Sequence, residues 1–140
     1  MKQNAVFLIS RIRENASRLI MNELAKLGFS ELSPSHGDIL AALYAQDSLP
    51  MQEIAKKIHR TKPTTTVLVD KLEKFGLVKR EKSNEDSRCT KVLLTRAGMA
   101  FKDEFKRISE DLNNKVYKNL TTAEALTFEA LLEKVRDNLE

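Results

Sequence analysis

Residues 61–80 read TKPTTTVLVDKLEKFGLVKR, and this stretch decides the fold. Thr61 is a favoured N-cap residue, and Pro63 falls in the first helical turn, where its missing N–H costs little. Gly76 can end a helix in the left-handed conformation. The stretch therefore predicts a helix that begins after Thr61 and runs to Phe75.

The two faces of this helix differ in chemistry when its residues are placed at 100° intervals. The face expected to pack on the core carries Thr61, Thr65, Leu68, Leu72 and Phe75. The outer face carries Lys62, Pro63, Thr66, Val67, Asp70 and Lys74. A helix with one apolar and one polar face predicts packing on one side and contact with solvent or a partner on the other.

Two short β-prone runs, 77–82 and 90–95, follow this helix and flank the polar segment 83–88. Such a pattern is typical of a β-hairpin. On the other side, a break at His59 separates Thr61 from a short preceding helix. The order short helix, tight turn, helix and hairpin predicts a helix-turn-helix followed by a wing.

The rest of the chain predicts further helices. The first runs from Asn4 to Leu27, and the second opens at Ser33-Pro34. A fifth opens at Thr95 and continues through Leu112, and the last begins at the capping box 121–124. The predicted fold is mainly α with a small β-hairpin, six helices in all, in one domain covering residues 1–140.

Composition limits the classes of protein. The chain has 140 residues, of which 41% are hydrophobic and 31% charged, as in a folded globular domain. The apolar run at 5–9 is too short for a signal peptide or a membrane span, so we expect a cytoplasmic protein without membrane contact. The single cysteine, Cys89, excludes an internal disulfide.

Charge is concentrated in the middle of the chain. Residues 56–102 contain 13 basic and 5 acidic residues, a net charge of +8, although the whole chain carries only +4. A local cationic surplus of this kind favours contact with phosphates, because lysine and arginine release the counterions condensed on nucleic acid. A merely basic surface explains the same charge, so this observation leaves both readings open.

The outer face of the central helix fits the major groove of duplex DNA, which is wide enough for a helix. Thr66 can exchange hydrogen bonds with a base edge, and Val67 can contact a thymine methyl group. Lys62, near the start of the helix, can reach a phosphate or a guanine. An ordinary solvated helix face is the alternative.

Four segments are informative in combination: MQEIA at 51–55, VDKLEKFGLVKR at 69–80, the triplet Asp86-Ser87-Arg88, and LTRAG at 94–98. Together they resemble the MarR family of bacterial transcriptional regulators. The triplet is similar to the family's wing, in which an aspartate and an arginine stand two residues apart at the hairpin tip. Val67 departs from the family, which often has a polar or basic residue at this position. We therefore expect base recognition here to depend on DNA shape and on contact with thymine methyl groups.

The resemblance implies a winged helix-turn-helix homodimer that binds duplex DNA at a pseudo-palindromic operator. Regions of about 1–30 and 100–140 would form the dimer, and about 48–96 the DNA-binding lobe. Asp86 would organise the wing tip, and Arg88 would enter the minor groove; a surface ion pair is the alternative. The expected DNA-binding residues are Thr61, Lys62, Pro63, Thr64, Thr66, Val67, Lys74, Asp86, Ser87 and Arg88.

Apolar residues left outside the main helix stripes also indicate a dimer, since a domain this small cannot bury all of them alone. On the last helix they are Leu126, Ala130, Leu131, Val135 and Leu139, and on the first Val6, Phe7, Ile9 and Ile20. A wholly intramolecular core is the alternative.

Regulation rests on the resemblance. Such proteins are commonly repressors released by a small aromatic or anionic effector, for which Arg11, Arg18 and His36 are candidate ligands. For His36 we favour a capping role, because it stands where a capping box has Glu or Gln. Cys89 adjoins Arg88, so redox sensitivity is a further alternative.

Other classes fit less well. The four glycines are isolated at element ends, and no nucleophile, carboxylate pair or metal spacing stands out among His36, His59 and Cys89. We therefore expect no catalytic site, no cofactor and no metal. A winged helix used only for protein contacts remains an alternative, and a steep salt dependence of DNA affinity would distinguish the two.

The substitution Arg88→Ala tests the wing assignment. We expect weaker binding to operator DNA with a nearly unchanged thermal melt, because the side chain would contact DNA and not the core. A titration at fixed salt measures the affinity. Unaltered affinity would contradict a minor-groove role for Arg88.

Overall fold

The computed structural model describes residues 1–82 and 89–140. Within them, the chain forms seven helices and three strands. The helices are α1 (Ala5–Lys26), α2 (Pro34–Ala45), α3 (Met51–Lys57), α4 (Lys62–Lys74), α5 (Arg96–Ala100), α6 (Lys102–Val116) and α7 (Thr122–Leu139). The strands are β1 (Ser48–Pro50), β2 (Val78–Lys82) and β3 (Thr90–Leu94).

The predicted fold class is confirmed, but the predicted number of six helices is wrong. The fifth helix does open after Thr95, whose hydroxyl accepts the Gly98 N–H at 3.0 Å. It is then divided at Phe101 into α5 and α6. Backbone hydrogen bonds continue on both sides of Phe101, to Ala97 at 3.1 Å and from Phe105 at 2.9 Å, so the apolar periodicity carries no sign of the division.

The predicted hairpin is part of a larger sheet. Its strands β2 and β3 pair antiparallel, and β1 pairs antiparallel with the other edge of β3, giving the order β1-β3-β2. Leu49 stands opposite Val92, and both are buried. The sequence did not indicate β1, because three residues ending in a proline show no alternating pattern.

The chain divides into two compact units, residues 1–108 and 109–140. The first holds the buried core, which α2, α3, α4 and the sheet all line. Its most deeply buried aliphatic side chains are Leu32, Ile39, Leu40, Leu43, Ile54, Val69, Leu72, Val78 and Val92.

The second unit contains α7 and the residues before it. The predicted capping box opens α7: the Thr121 N–H donates to the Glu124 carboxylate at 3.0 Å, and the Glu124 N–H donates to the Thr121 hydroxyl at 3.1 Å. The Tyr117 hydroxyl donates to Glu129. The capping box fixes the start of the helix, and the Tyr117 hydrogen bond ties the preceding residues to the middle of α7.

Gly98 ties the first helix after the wing to the base of the sheet. A Cβ at this position would overlap the Leu77 carbonyl oxygen. The same carbonyl accepts the Thr95 N–H at 3.1 Å, and the Gly98 carbonyl accepts the Tyr44 hydroxyl at 2.7 Å. Glycine is therefore required here by the close approach of two backbones.

His36 occupies the capping position predicted at the start of α2. The Ser33 N–H donates to His36 Nδ1 at 2.9 Å, and the imidazole is buried. Burial, assisted by the positive charge of Lys71, lowers the pKa of His36 below its usual value of 6.5. The neutral ring is thus the form that the fold stabilises.

This lowered pKa predicts a pH-dependent stability. Below about pH 6.5 the unfolded chain binds a proton that the folded chain resists, so the free energy of unfolding should fall, by at most about 1.4 kcal/mol per pH unit. The variant His36→Gln should lack this component. Urea unfolding between pH 7.5 and 5.5 measures the difference between the two proteins.

The variant His59→Gln is the matched control, because His59 is exposed. It should keep the pH dependence of the parent protein. Equal pH profiles for the parent protein and His36→Gln would contradict the role given to His36.

Candidate nucleic-acid interface

The inner face of α4 is fixed by burial. Thr65, Val69 and Leu72 are completely buried, and Leu68 and Phe75 are half-buried. This confirms most of the predicted core face and adds Val69 to it. The remaining side of α4 is left at the surface.

Thr61 was placed on that core face by the helical wheel, and this placement is wrong, because Thr61 is exposed. Its backbone is extended, with φ −67° and ψ 158°, since it is the N-cap and precedes the helix. The 100° spacing therefore does not apply to it. Its hydroxyl accepts the Thr64 N–H at 3.3 Å, as expected of a cap.

The predicted outer face of α4 is mostly open to solvent. Val67 is 66% exposed, and Thr66 is half-buried. The other predicted contact residues of this helix, Lys62, Pro63, Thr64 and Lys74, are exposed. The structure thus brings the α4 residues of the prediction onto one accessible surface.

The threonine run is compatible with a helix because the hydroxyls of Thr65 and Thr66 each donate to a backbone carbonyl one turn earlier. The Thr65 hydroxyl donates to the Thr61 carbonyl at 2.8 Å, and the Thr66 hydroxyl donates to the Lys62 carbonyl at 3.0 Å. Complete burial of Thr65 therefore leaves no unsatisfied hydroxyl. Thr66 keeps its lone pairs available as hydrogen-bond acceptors.

A tight turn links α3 to α4. His59, predicted as a turn residue, has φ +55°, which is left-handed. The His59 N–H donates to the Lys56 carbonyl at 3.2 Å, and the Arg60 N–H to the Ala55 carbonyl at 3.1 Å. This is the hydrogen-bond pattern of a helix ended by one left-handed residue, and it sets the direction in which α4 leaves α3.

Exposed cations beyond the predicted residues lie close to this turn and on β2. Lys56, Lys57 and Arg60 are exposed, as is Lys79 on β2. None was singled out from the sequence, although all lie in the segment of net charge +8. Local charge density was the signal that could have found them.

Arg80 links the wing strand β2 to α4, and sequence reasoning missed it. Its Nη2 donates to Asp70 Oδ1 and to the Thr66 carbonyl, the latter at 3.4 Å. Its Nε is buried and has no hydrogen-bond partner among the described residues. Nothing in the local pattern of β2 distinguishes this arginine from the other basic residues of the hairpin.

A cleft of about 180 Å³ lies beside Arg80 and Thr66. Lys62 and Cys89 also line it. Its volume is below the roughly 300–1,000 Å³ of typical sites for drug-sized ligands.

The candidate effector residues lie elsewhere. Arg11 and Arg18 are on α1 and both pair with Glu14, at 2.7 Å and 3.5 Å. His36 is buried at the start of α2, where its ring bonds to Ser33.

Three predicted contact residues, Asp86, Ser87 and Arg88, lie outside the described residues. Within the described ranges, no three His, Cys, Asp or Glu side chains are grouped closely enough to hold a metal ion. The helices that the structure describes include none with the length and hydrophobicity needed to span a membrane.

Comparison with known proteins identifies the family. The sequence profile of the MarR family matches residues 32–90, which contain the turn, α4 and most of the sheet. The Escherichia coli regulator PrsX is 29% identical over 136 residues, covering 95% of this chain and 82% of PrsX. The chain belongs to the MarR family.

Solved structures of MarR proteins share the whole fold. The MepR–DNA complex of Staphylococcus aureus superimposes with a TM-score of 0.87 at 26% identity, covering 96% of this chain and 97% of MepR. A serine-for-cysteine mutant of Escherichia coli MarR in complex with operator DNA gives 0.81 at 26% identity, covering 96% and 98%.

Another relative matches over a shorter segment. The Escherichia coli regulator PapX is 32% identical over 96 residues, 69% of this chain, and the match spans only 58% of PapX. These relatives are named transcriptional regulators, and none of those cited is named an enzyme. Within the MarR fold, α3 and α4 form the helix-turn-helix, and β2 and β3 lead to and from the wing.

Proposed function

We propose that this MarR-family chain is a sequence-specific regulator of transcription that binds duplex DNA as a homodimer. The observation that carries the proposal is that one side of α4 is buried in the core while the other side is exposed. Thr65, Val69 and Leu72 anchor it in the core, while its opposite side is exposed within a segment of net charge +8. A rigid, exposed, cationic helix face is what major-groove reading requires.

The side chains on this face divide into positioning and reading roles. Lys62 at the first turn contacts a phosphate or guanine, and Lys74 at the last turn contacts the backbone. Thr66 accepts or donates at a base edge, and Val67 packs on a thymine methyl group. Thr61, Pro63 and Thr64 hold the start of the helix against the sugar-phosphate backbone.

The wing supplies the second contact in this proposal. Arg88 enters the minor groove next to the major-groove site, and Asp86, with Ser87, shapes the tip that presents it. Two named relatives support DNA as the partner, since MepR and the MarR mutant were each solved in complex with DNA.

Dimerisation is supported by uncovered apolar side chains at both ends of the chain. Phe7 and Ile12 on α1 are exposed, as are Leu126 and Leu131 on α7. A second copy covering these helices would give two recognition helices related by a two-fold axis. Such a dimer suits a pseudo-palindromic operator whose half-sites are about 34–36 Å apart.

Repression relieved by a small aromatic or anionic effector completes the proposal. The Pseudomonas putida relative IacR, 32% identical over 77 residues, is named a repressor. Arg11, Arg18 and His36 are the candidate effector ligands. An effector would act by favouring a spacing of the recognition helices that does not fit the operator.

DNA binding through α4 predicts the effect of Lys62→Ala. Selection from a random duplex pool should first yield a pseudo-palindromic site with nanomolar affinity. On that site, we expect Lys62→Ala to weaken binding about tenfold and to lower the slope of log affinity against log salt by about 0.9 for each phosphate that is no longer neutralised. Fluorescence anisotropy across a salt series measures both quantities.

The control is Lys118→Ala, which removes another exposed lysine, in the second unit. It should leave the affinity and the salt slope unchanged. A parent protein that selects no duplex, or that binds without salt dependence, would overturn the proposed function.

The proposed dimer predicts the behaviour of Leu126→Asp/Leu131→Asp. Both side chains are more than half exposed in the single chain, so the change should not disturb its core. We expect sedimentation to show a dimer for the parent protein and a monomer for the variant, with much weaker operator binding. The control Lys134→Asp alters the charge of α7 at an exposed polar position. A parent protein that is monomeric at micromolar concentration would contradict the proposal.

A further inference from the structure

Asp70 places a negative charge on the surface that is proposed to contact DNA phosphates. It is one of two exposed acidic residues of α4, with Glu73, and its side chain is 56% exposed. A carboxylate there repels the DNA backbone, and like charges brought together at an interface oppose binding. A neighbouring positive charge that offsets this carboxylate would favour entry of α4 into the groove.

The register of the sheet places Arg80 where its positive charge can offset that of Asp70. Alternate residues of a strand face the same side, so Arg80 lies on the side of β2 that Val78 uses to cover the core. Two residues beyond Val78, this side no longer covers the core and stands next to α4. The arginine there contacts two sites one helical turn apart on α4, the Thr66 carbonyl and the Asp70 carboxylate.

The arginine side chain is itself largely withdrawn from solvent. It is 28% exposed, half as much as Asp70, and its Nε is buried. An arginine that is folded inward and engaged by two acceptors is poorly placed to reach phosphates. Its charge nevertheless cancels that of Asp70 at the surface.

We propose that Arg80 is a positioning residue for DNA binding, acting through Asp70 and not by contact with DNA. It neutralises the Asp70 carboxylate and joins the base of the wing to the recognition helix. This inference rests on the proposed DNA-binding function.

A four-protein cycle separates this role from direct contact. Relative to the parent protein, Arg80→Gln changes the charge of the pair by −1, Asp70→Asn changes it by +1, and the double variant restores it. We expect Arg80→Gln to weaken operator binding about tenfold, because it leaves the Asp70 carboxylate uncompensated near phosphates. The double variant should regain affinity to within about threefold of the parent protein.

Direct contact gives the opposite pattern. If Arg80 itself binds a phosphate, the double variant stays as weak as Arg80→Gln, and the salt slope falls by about 0.9 in both. That result would overturn the inference while leaving the proposed function intact. Failure of the parent protein to bind DNA would instead overturn the proposed function.

Two further variants exclude a purely structural or nonspecific effect. Lys79→Gln removes a charge from the neighbouring position on the other side of β2, and its loss of affinity should not be rescued by Asp70→Asn. Arg80→Lys keeps the charge but cannot span both acceptors, so it should bind better than Arg80→Gln. Thermal melts identify any variant that is unfolded at the assay temperature, and the cycle is then measured at lower temperature. Rescue of Lys79→Gln to the same degree would overturn the specific pairing.

Discussion

Burial of one side of α4 is the constraint on which the rest of the structure depends. Val69 and Leu72 are completely enclosed, and α4 packs on α2, α3 and β2. Because the helix cannot rotate without exposing these side chains, the identity of its outer face is fixed before any ligand is present. The left-handed residue His59 and Gly76 set the two ends of this helix, with φ +55° and +74°.

Structural features that depend only on neighbouring residues could be predicted from the sequence. The N-cap Thr61, the capping box at Thr121 and the terminating Gly76 each depend on a few neighbouring residues, and the structure has all three. Fold class followed from the order of such elements. His36 as a cap followed from the same kind of spacing.

Features that depend on contacts between residues far apart in the sequence could not be predicted. The strand β1 exists because Leu49 meets Val92, more than 40 positions away. The helix divides at Phe101 without any change in apolar period. The contact of Arg80 with Asp70 depends on how β2 leaves the core, and a list of basic residues in the hairpin does not reveal it.

The last helix shows what an uncovered surface means for the whole molecule. In the single chain no residue of α7, all of which the structure describes, is buried, and three of its leucines, Leu126, Leu131 and Leu139, are strongly exposed. Most of the stability of a helix in a protein comes from tertiary packing of its apolar face, and α7 buries no residue in the single chain. Once a second chain covers it, as proposed, mass action makes stability depend on concentration, and dilute chains become the better substrates for proteolysis. The abundance of the regulator would then determine its own lifetime as well as the occupancy of its operator.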